Sequence, residues 1–514
     1  MTPALAAALA GLPAKLAAHV ALSAAALALA MLVAAPLVLL ARSRPRLRWV
    51  ALALAGLVQT IPALALLALF YPALLAVRGV TGGSLPVLGF FPALLALALY
   101  ALLPLLRGGI GGLLGVDADV IEAANGVGMT PRQRLILVEL PLAAPVILGG
   151  VRTAAVWTIG AATLATAVGA TCLGDFIFAG LQTENWVAVL VGCGAAAALA
   201  IAVDVALGLI ETGLATGSRR RMIAGAAVLA AIAAAAVVPS LGSTPSTSSP
   251  SSTPVVIGAK NFSEQYILAD LIAARLAPRP VVQRSGLGSA VAFRALAAND
   301  VDVYVDYAGT LWTGILGHGP TLPRADLLAA LTRELAAKYG VGVVGPLGFE
   351  NAYVLAVRRD TATRLHLATI ADLARAAPGL TLGADIEFLS RPEWAGLDAA
   401  YHLAFKAKKS FEPTFMYRAL ASGEADVISA FSSDGRIAAQ HLVVLTDPKA
   451  AIPSYDALLL VSPARATDHA LDAALRPLIG AIDVAAMRRA NLLVDRDADK
   501  LSPAAAARTL KGND

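Results

Sequence analysis

The sequence predicts a chain of two parts: an all-α transmembrane bundle of about six spans, fused to a two-lobed α/β domain. Of its 514 residues, 58% are hydrophobic and only 15% are charged, whereas a soluble domain carries about 25% charged residues. The charges are also unevenly placed. Before residue 255 there are 13 Lys and Arg against 8 Asp and Glu, and from 255 onward there are 27 of each. The net charge of +5 therefore lies in the apolar half, where cations mark topology, and nucleic-acid binding is excluded as the main function.

The first half contains six apolar stretches long enough to cross a bilayer, which needs roughly 20 residues for each span. They lie near residues 16–41, 49–77, 86–106, 142–168, 186–214 and 222–239. Loops rich in arginine alternate with loops that carry almost none, and the positive-inside bias assigns the arginine-rich loops to the cytoplasm. Their arginines are Arg42, Arg44, Arg46, Arg48, Arg107, Arg132, Arg134 and Arg219–Arg221. We therefore expect residues 1–239 to form a multi-pass bundle in the lipid of the cytoplasmic (inner) membrane.

A segment of Ser, Thr and Pro separates the two halves. Residues 240–254 read SLGSTPSTSSPSSTP, a composition that cannot bury a core and that behaves as a flexible tether. Because the last predicted span leads outward, we expect residues 240–514 to lie on the extracytoplasmic, periplasmic side of the membrane.

The loop over residues 107–141, which the arginines assign to the cytoplasm, carries a spaced motif. Glu122-Ala123-Ala124 is followed by Gly128 and then by Leu140-Pro141. The glycine permits a bend between two short helices, and the proline is expected to end the second. This spacing resembles the EAA loop of binding-protein-dependent ABC importer permeases, and an ordinary charged loop is the alternative. The resemblance implies docking onto a separate ATPase subunit, and the chain has no G-x-x-x-x-G-K-[ST] phosphate-binding loop of its own.

Two polar residues, Gln59 and Asp204, lie within the predicted spans. Such residues are costly in lipid, so we expect both to face the bundle interior or a polar path. For Asp204 we favour a structural partner, and contact with a transported solute stays open.

From residue 255 onward the sequence is that of a globular domain. Short β-branched runs, among them Val301–Val305 and Val427–Ser429, alternate with helical stretches such as Glu264–Leu276. This alternation predicts βαβ units with parallel sheets. The length suits two lobes with a cleft that closes by hinge motion. We expect lobe 1 to comprise residues 255–357 and 453–514 and lobe 2 residues 358–452.

A series of motifs along residues 255–514 is similar to the substrate-binding domain of osmoprotectant importers, which take up glycine betaine, choline, carnitine and related compounds. The motifs are Ile257–Gln265, Asp302–Thr310, Pro346–Tyr353, Glu387–Pro392, Phe431–Ile437 and Pro453–Tyr455. The resemblance implies a periplasmic-binding-protein fold. Fusion of such a domain to an EAA-type permease in one chain also occurs in that family, including importers of ergothioneine.

The resemblance further implies an aromatic cage formed by Tyr307, Tyr353, Phe431 and Tyr455. A quaternary ammonium has no N–H to donate, so aromatic ring faces are its usual partners. The alternative is that each ring belongs to a hydrophobic core. Where the family often has tyrosine, this chain has Phe431, which keeps the ring face and loses a hydroxyl. Betaine, choline and ergothioneine therefore all stay open as ligands.

A zwitterionic ligand also needs donors for its carboxylate. The candidates are Asn261, Gln265, Thr310, Asn351 and Arg391, of which Arg391 offers a two-pronged donor. A surface salt bridge is the equal alternative for Arg391. Asp434 is either a helix cap or a ligand contact.

These features predict a permease and receptor subunit of an ATP-driven importer, without a cofactor, a metal site or an enzymatic activity, because no nucleophile–base pair or metal cluster is evident. Six spans supply half of a translocation path, so we expect a homodimer. An importer of a different amine or amino acid is one alternative, and a membrane-anchored solute sensor is another, which the EAA spacing disfavours.

Overall fold

The computed structural model describes residues 3–81, 85–182, 185–242, 254–318, 322–411, 413–452, 454–496 and 499–510. The chain divides into two compact units. The helical unit comprises Met1–Phe178 and Val187–Ser248, and the α/β unit comprises Ala179–Trp186 and Ser249–Asp514. Most of the predicted linker, residues 243–253, lies outside the described residues.

The described elements of the helical half are helices. They are α1 (Pro3–Ala41), α2 (Pro45–Thr60), α3 (Ala63–Thr81), α4 (Phe90–Leu114), α5 (Ala118–Gly126), α6 (Pro131–Arg134), a π-helical turn (Leu135–Glu139), α7 (Leu140–Ala162), a 3-10 turn (Thr163–Val168), α8 (Gly174–Gln182), α9 (Trp186–Thr216) and α10 (Arg219–Gly242).

Five segments within the described residues are long and apolar enough to cross a membrane. They are Ala8–Ala41, Ala63–Thr81, Phe90–Leu114, Pro131–Val168 and Trp186–Thr216. The single span predicted at 49–77 is wrong: it is two helices, α2 and α3, with Ile61 in an extended conformation between them. The reason is Pro62, which has no N–H to donate and disfavours a helical residue before it. The sixth predicted span falls in α10, which is not among the five.

Helices α4 and α7 approach each other closely at a pair of glycines. A Cβ atom added at Gly108 would lie 2.7 Å from the Cα atom of Gly150, so neither position has room for a side chain. Small residues of this kind allow membrane helices to pack backbone against backbone. The same two helices bury Ala and Leu side chains in one cluster, among them Leu106, Ala143 and Ala154.

The α/β unit alternates strands and helices. Its strands are β1 (Val255–Lys260), β2 (Val281–Leu287), β3 (Val303–Tyr307), β4 (Gly342–Glu350), β5 (Tyr353–Val357), β6 (Thr381–Ala384), β7 (Ala407–Ser410), β8 (Val427–Phe431), β9 (Val443–Val444) and β10 (Asp456–Val461). Its α-helices are α11 (Ser263–Leu276), α12 (Ser289–Ala297), α13 (Arg324–Tyr339), α14 (Arg359–Leu365), α15 (Ile370–Ala376), α16 (Ile386–Ser390), α17 (Pro392–Tyr401), α18 (Pro413–Ser422), α19 (Arg436–Ala439), α20 (His469–Leu475), α21 (Val484–Asp495) and α22 (Pro503–Thr509).

The strands form two five-stranded sheets, one in each lobe. Lobe 1 has the order β2-β1-β3-β10-β4 and lobe 2 the order β7-β6-β8-β5-β9. The sheets are mixed rather than parallel as predicted, because β10 pairs antiparallel with β3 and β4, and β5 pairs antiparallel with β8 and β9. These are the strands that enter a sheet directly from the other lobe, without the crossover helix that a parallel strand needs.

The chain first crosses between lobes at residues 351–352, between β4 and β5. The predicted crossing near 358 is wrong, and Tyr353–Val357 belongs to lobe 2. Residues 342–357 are mostly apolar, and only the short break at Asn351-Ala352 separates the two strands. The second crossing falls between Thr446, which bridges to Thr369, and β10.

Candidate functional site

The α/β unit contains a cavity of about 530 Å³ lined by residues of both lobes. Its lining residues are Lys260, Asn261, Phe262, Leu287, Gly288, Ser289, Tyr307, Thr310, Asn351, Tyr353, Asp385, Arg391, Ser410, Phe411, Phe431 and Tyr455. The volume lies within the range of about 300–1,000 Å³ that is usual for small-molecule sites. The four rings predicted from the sequence all line this cavity.

Strand direction explains why these four rings meet. Tyr307 and Phe431 end β3 and β8, so both lie at carboxyl ends of strands, where α/β sheets usually bind ligands. Tyr353 begins β5, which runs antiparallel to β8 and pairs Tyr353 with Phe431. Tyr455 directly precedes β10, which runs antiparallel to β3 and pairs Ala457 with Tyr307. Each antiparallel strand therefore begins at the edge where its neighbour ends.

The rings form a continuous wall that includes Phe262, which the sequence reasoning did not single out. Phe262 lies 6.1 Å from Tyr307 and 6.2 Å from Phe431, measured between ring centroids. Tyr353 lies 4.9 Å from Phe431 and 5.9 Å from Tyr455. The signal for Phe262 was its place in the Ile257–Gln265 motif, between the strand β1 and the start of α11.

The buried carboxylate of Glu264 forms hydrogen bonds with Tyr307 of this wall and with residues next to it. Its oxygens accept hydrogen bonds from the Tyr307 hydroxyl (2.6 Å), Asn351 (3.0 Å), Ser433 (2.6 Å) and Asn491 (2.9 Å). Burial raises the pKa of Glu264, and these four donors oppose that rise. Burial and the neighbouring Glu264 carboxylate together raise the pKa of Tyr307 well above its ordinary value, so its hydroxyl stays protonated and donates.

Gln265 lies behind the wall. Its side-chain amide donates to the Tyr307 hydroxyl at 3.0 Å and to the Val305 carbonyl at 3.1 Å, and it is not among the lining residues. The predicted direct contact with a ligand is therefore not what the structure favours, and Gln265 positions Tyr307 instead. Asn261, Thr310 and Asn351 line the cavity, and their role as donors to a ligand carboxylate stays a prediction.

Arg391 also lines the cavity, and it forms a buried ion pair. Its guanidinium donates to Glu393 at 2.9 and 3.0 Å, with 10% of the Arg391 side chain and none of the Glu393 side chain exposed. Burial favours the neutral forms, but the mutual hydrogen bonds outweigh it, so the pKa of Arg391 is raised and that of Glu393 is lowered. Glu393 accepts further bonds from the hydroxyls of Thr313 and Tyr455. The predicted surface salt bridge is therefore a buried ion pair within the cavity wall, and contact of Arg391 with a ligand carboxylate stays a prediction.

The sequence reasoning missed two further charged side chains that line the cavity. The Lys260 ammonium pairs with the buried Asp306 carboxylate and lies 5.2 Å from the centre of the Tyr307 ring. Asp385 accepts a hydrogen bond from the backbone N–H of Phe388 at 2.7 Å and so caps α16. Neither residue belongs to a pattern that distinguishes it in the sequence from a structural charge.

Asp434 lies outside this cavity. It forms a two-pronged ion pair with Arg436, at 2.8 and 3.1 Å, and accepts the Arg436 backbone N–H at 2.8 Å. Of the two roles predicted for Asp434, the structure therefore favours the helix cap. It lines a separate cavity of about 40 Å³ together with Glu264, Asn491 and Asp495.

In the helical unit, the predicted coupling motif forms the helix α5 and the turn after it. Asp117 caps α5, and Glu122 and Ala123 are exposed while Ala124 is buried. Gly128 follows in the left-handed region, with φ at +79°, where a side chain would be strained. Thr130 and Gln133 then form a capping box that starts α6.

Leu140-Pro141 does not end a helix, contrary to the prediction. The chain is helical from Pro131 through Ala162, and Pro141 occupies the first turn of α7, directly after a π-helical turn. Proline has no N–H for the ladder of this continuous helix, and the hydrogen-bond pattern is irregular at the π-helical turn directly before it. π-helical turns are rare and concentrate at functional sites.

Glu139, the last residue of that π-helical turn, joins three elements. It is 5% exposed and accepts hydrogen bonds from Arg42, which follows α1, and from Arg134 of α6 at 2.7 Å. Arg134 also donates to Asn125 of α5 at 2.7 Å. The predicted coupling motif is therefore connected to α1 and α7 through one carboxylate, a contact the sequence spacing did not indicate.

Comparison with known proteins assigns each half. Residues 253–510 match the family model described as the substrate binding domain of ABC-type glycine betaine transport system, and residues 26–222 match the binding-protein-dependent transport system inner membrane component.

Three similar proteins illustrate the match. The ergothioneine transport permease/ergothioneine binding protein EgtU of Helicobacter pylori (strain G27) is 30% identical over 78% of this chain and 72% of its own length. The choline transport system permease protein OpuBB of Bacillus subtilis (strain 168) is 38% identical over 40% of this chain and 88% of its own length. A solved structure described as a glycine betaine/carnitine/choline ABC transporter is 29% identical, with a TM-score of 0.44, over 49% of this chain and 96% of its own.

The helical bundle and the two-lobed domain with a ligand-sized cavity, each matched by its family model, define a transport component of the ABC class rather than an enzyme. The chain belongs to the family of osmoprotectant ABC importers in which a permease and a substrate-binding domain are fused. It is a multi-pass membrane protein, and membership implies a separate ATPase partner and a small solute.

Proposed function

We propose that the α/β unit receives a solute with a methylated ammonium group in its aromatic cavity and delivers it to the helical unit for ATP-driven import. One observation carries this proposal: five rings, from Tyr307 through Phe262, Phe431 and Tyr353 to Tyr455, form one wall of a single cavity. Ring faces attract a diffuse cation with about 0.5–2 kcal/mol each, and a run of five supplies several such contacts.

The charges of the cavity favour a solute that also carries a carboxylate. Arg391 is permanently ionised and its guanidinium carbon lies 5.4 Å from the centre of the Tyr353 ring. Glu393 neutralises this guanidinium, so the preference comes from its N–H groups: a zwitterion places its carboxylate against them, and choline has no carboxylate. We therefore infer that glycine betaine, carnitine or ergothioneine binds more tightly than choline. The similarity to a protein named for ergothioneine, which extends over both halves, makes ergothioneine the second candidate.

The assembly we propose has two copies of this chain in the membrane. Residues 240–514 lie on the extracytoplasmic side, in keeping with the arginine-rich loops. The exposed face of α5, with Glu122 and Ala123, docks onto the ATPase at the cytoplasmic side. Closure of the ATPase moves α1 and α7 through Glu139, because this carboxylate joins both helices to the coupling motif.

A ligand panel on the full-length protein in detergent tests the solute. Calorimetry with glycine betaine, carnitine, ergothioneine and choline should give binding by at least one carboxylated compound and weaker binding by choline. Arg391→Lys keeps the charge but loses the planar fork, so it should weaken the carboxylated ligands and leave choline nearly unchanged. If choline bound tightly and Arg391→Lys changed the affinity of no ligand, the proposed preference for a zwitterionic solute would be contradicted. Folded protein that binds none of the four would contradict the proposed ligand class.

A further inference from the structure

The membrane-spanning segments contain a charged cluster that the receptor function does not use. Arg152 of α7 donates to both carboxylate oxygens of Asp204 on α9, at 2.5 and 2.7 Å, and more weakly to Glu211 at 3.5 Å. Asp204 thus has the structural partner expected from the sequence. The cluster carries one positive and two negative charges within the segments Pro131–Val168 and Trp186–Thr216, which are long and apolar enough to cross a membrane.

This cluster is not enclosed by the helical unit. The side chains of Arg152, Asp204 and Glu211 are 40%, 35% and 29% exposed. Charged groups in contact with hydrocarbon are strongly unfavourable, so intramembrane charges face protein or a water-filled cavity. The face of α7 and α9 that carries these residues is therefore not a lipid-facing surface.

The same face forms the wall of two adjoining cavities. One of about 450 Å³ is lined by the three charged residues together with Gly149, Thr153, Val156 and Trp157. The other, of about 240 Å³, shares Gly149, Thr153 and Trp157 and adds Gln59 and Arg107. Gly149, Thr153 and Trp157 are spaced four residues apart on α7, so they form one stripe along the helix. Within it, Trp157 is 48% exposed.

We propose that this stripe and the Arg152 cluster are one wall of a second solute site, inside the membrane, which holds the solute during translocation. The ring face of Trp157 receives the methylated ammonium, and the excess negative charge of Asp204 and Glu211 favours the cation. A second copy of the chain supplies the opposite wall, which is why the cavities are open in one chain. This inference rests on the proposed function and adds a binding site to it.

Cysteine accessibility in membranes tests whether water and solute reach the stripe. In a Cys193→Ser background, which leaves the buried Cys172, Thr153→Cys is compared with Leu190→Cys, an apolar position of α9 that is 71% exposed. The probe is a trimethylammonium-ethyl thiosulfonate, which reacts with thiolates in water. We expect Thr153→Cys to react about tenfold faster or more, because thiolates do not form in hydrocarbon, and glycine betaine to slow the reaction. Equal rates at both positions, or no effect of glycine betaine, would overturn the site.

Uptake measurements test the role of the ring. Full-length protein with its ATPase is reconstituted in proteoliposomes, and radiolabelled glycine betaine is the probe. Trp157→Ala should lower uptake at low concentration about tenfold, as loss of a cation–ring contact implies, while Trp157→Phe keeps most of it and glycine betaine binding to the α/β unit is unchanged. The matched control is Trp49→Ala, at a tryptophan of α2 that is 71% exposed.

The outcomes separate this inference from the proposed function. If the wild type took up glycine betaine normally and Trp157→Ala took it up equally well, only the proposed membrane site would be contradicted. Wild-type protein that neither binds nor accumulates glycine betaine, carnitine, ergothioneine or choline would contradict the proposed function, and this inference with it.

Discussion

In the α/β unit, the ion pairs Lys260–Asp306 and Arg391–Glu393 leave at most 10% of any of the four side chains exposed. In the helical unit, the pair Arg152–Asp204 is just as well formed, yet its side chains are 40% and 35% exposed. A domain that folds in water encloses the charges of its site with its own residues. A unit that folds in a membrane and leaves such a pair open has a missing wall, because lipid is not an acceptable neighbour. The cavity of the α/β unit is thus lined within one chain, whereas in the proposed assembly a second copy completes the path through the membrane.

The largest expected effect follows from removing one member of an enclosed pair. Arg391→Ala leaves the Glu393 carboxylate buried and without its cation, which typically costs about 3–5 kcal/mol. Chemical denaturation of the full-length protein should show this loss, and calorimetry should show loss of carboxylated ligands. The control is Arg476→Ala, whose ion pair with Asp472 lies on the surface of the same unit. A stability loss equal to that of the control would mean that the pair is not enclosed.

The next effect is a pH dependence confined to the α/β unit. Burial raises the pKa of Asp495 to about 6, from an ordinary value of 3.8. Below pH 3.8 the carboxyl is protonated in both the folded and unfolded states. As the pH rises through 6, the folded protein must ionise a buried group, so stability is lost. Between pH 4 and pH 7 the free energy of unfolding should therefore fall less in Asp495→Asn than in the wild type. The expected difference is about 2–3 kcal/mol, which corresponds to a pKa shift of about two units.

Calorimetric melting of the full-length protein across that pH range measures the difference. Asp472→Asn provides the matched control, because this acid of the same unit is 37% exposed and pairs with Arg476 on the surface. Identical pH slopes for Asp495→Asn and the wild type would contradict the raised pKa.

A smaller effect is expected from the ring that the sequence reasoning missed. Phe262→Ala interrupts the ring wall between Tyr307 and Phe431 and should weaken glycine betaine binding about tenfold, as loss of one or two ring contacts implies. Phe405→Ala is the control, because this ring packs on Trp394, 6.3 Å away, and does not line the cavity. Titration calorimetry compares the two dissociation constants, and equal values would remove Phe262 from the site.

The smallest effect concerns the coupling of ATP hydrolysis to solute uptake. Glu139→Gln keeps the shape of the side chain but removes the charge that Arg42 and Arg134 share. Solute binding should be unchanged, whereas uptake per ATP hydrolysed should fall about two- to fivefold, the effect of a partly buried ion pair worth up to about 1 kcal/mol. Parallel measurements of uptake and ATPase activity in proteoliposomes give this ratio, and an unchanged ratio would show that Glu139 does not transmit motion.

Local patterns predicted the parts of this molecule that depend on neighbours along the chain. Apolar length and arginine placement indicated the helical half, and the resemblance of spaced motifs to a known family implied the coupling motif and the four rings Tyr307, Tyr353, Phe431 and Tyr455. The predictions that were wrong depended on contacts across the fold. The crossing near 358 and the parallel sheets required knowledge of which strand pairs with which, and Pro141 appeared to end a helix because a preceding π-helical turn is not evident from sequence.

In the candidate site as well, residue types were predictable from the sequence and side-chain orientations were not. Residue types that suit a methylated ammonium could be recognised one by one, but Gln265 and Asp434 could not be separated from true lining residues. Gln265 is turned toward the Tyr307 hydroxyl and Asp434 toward Arg436, and only packing sets those directions. Phe262, Lys260 and Glu139 were missed for the converse reason, since a single ring or charge in a motif has no periodicity that marks its orientation.

The sequence by itself determined that half of this chain belongs in a membrane and half in water, because composition and charge placement fix the preferred solvent of each segment. The tertiary structure alone decided which side chains share a cavity. Antiparallel β5 begins where β8 ends and β10 begins where β3 ends, so pairing between distant strands brings two of the four predicted rings to the cavity edge of each sheet. The same dependence on distant partners decides that Arg391 is enclosed while Arg152 is left open.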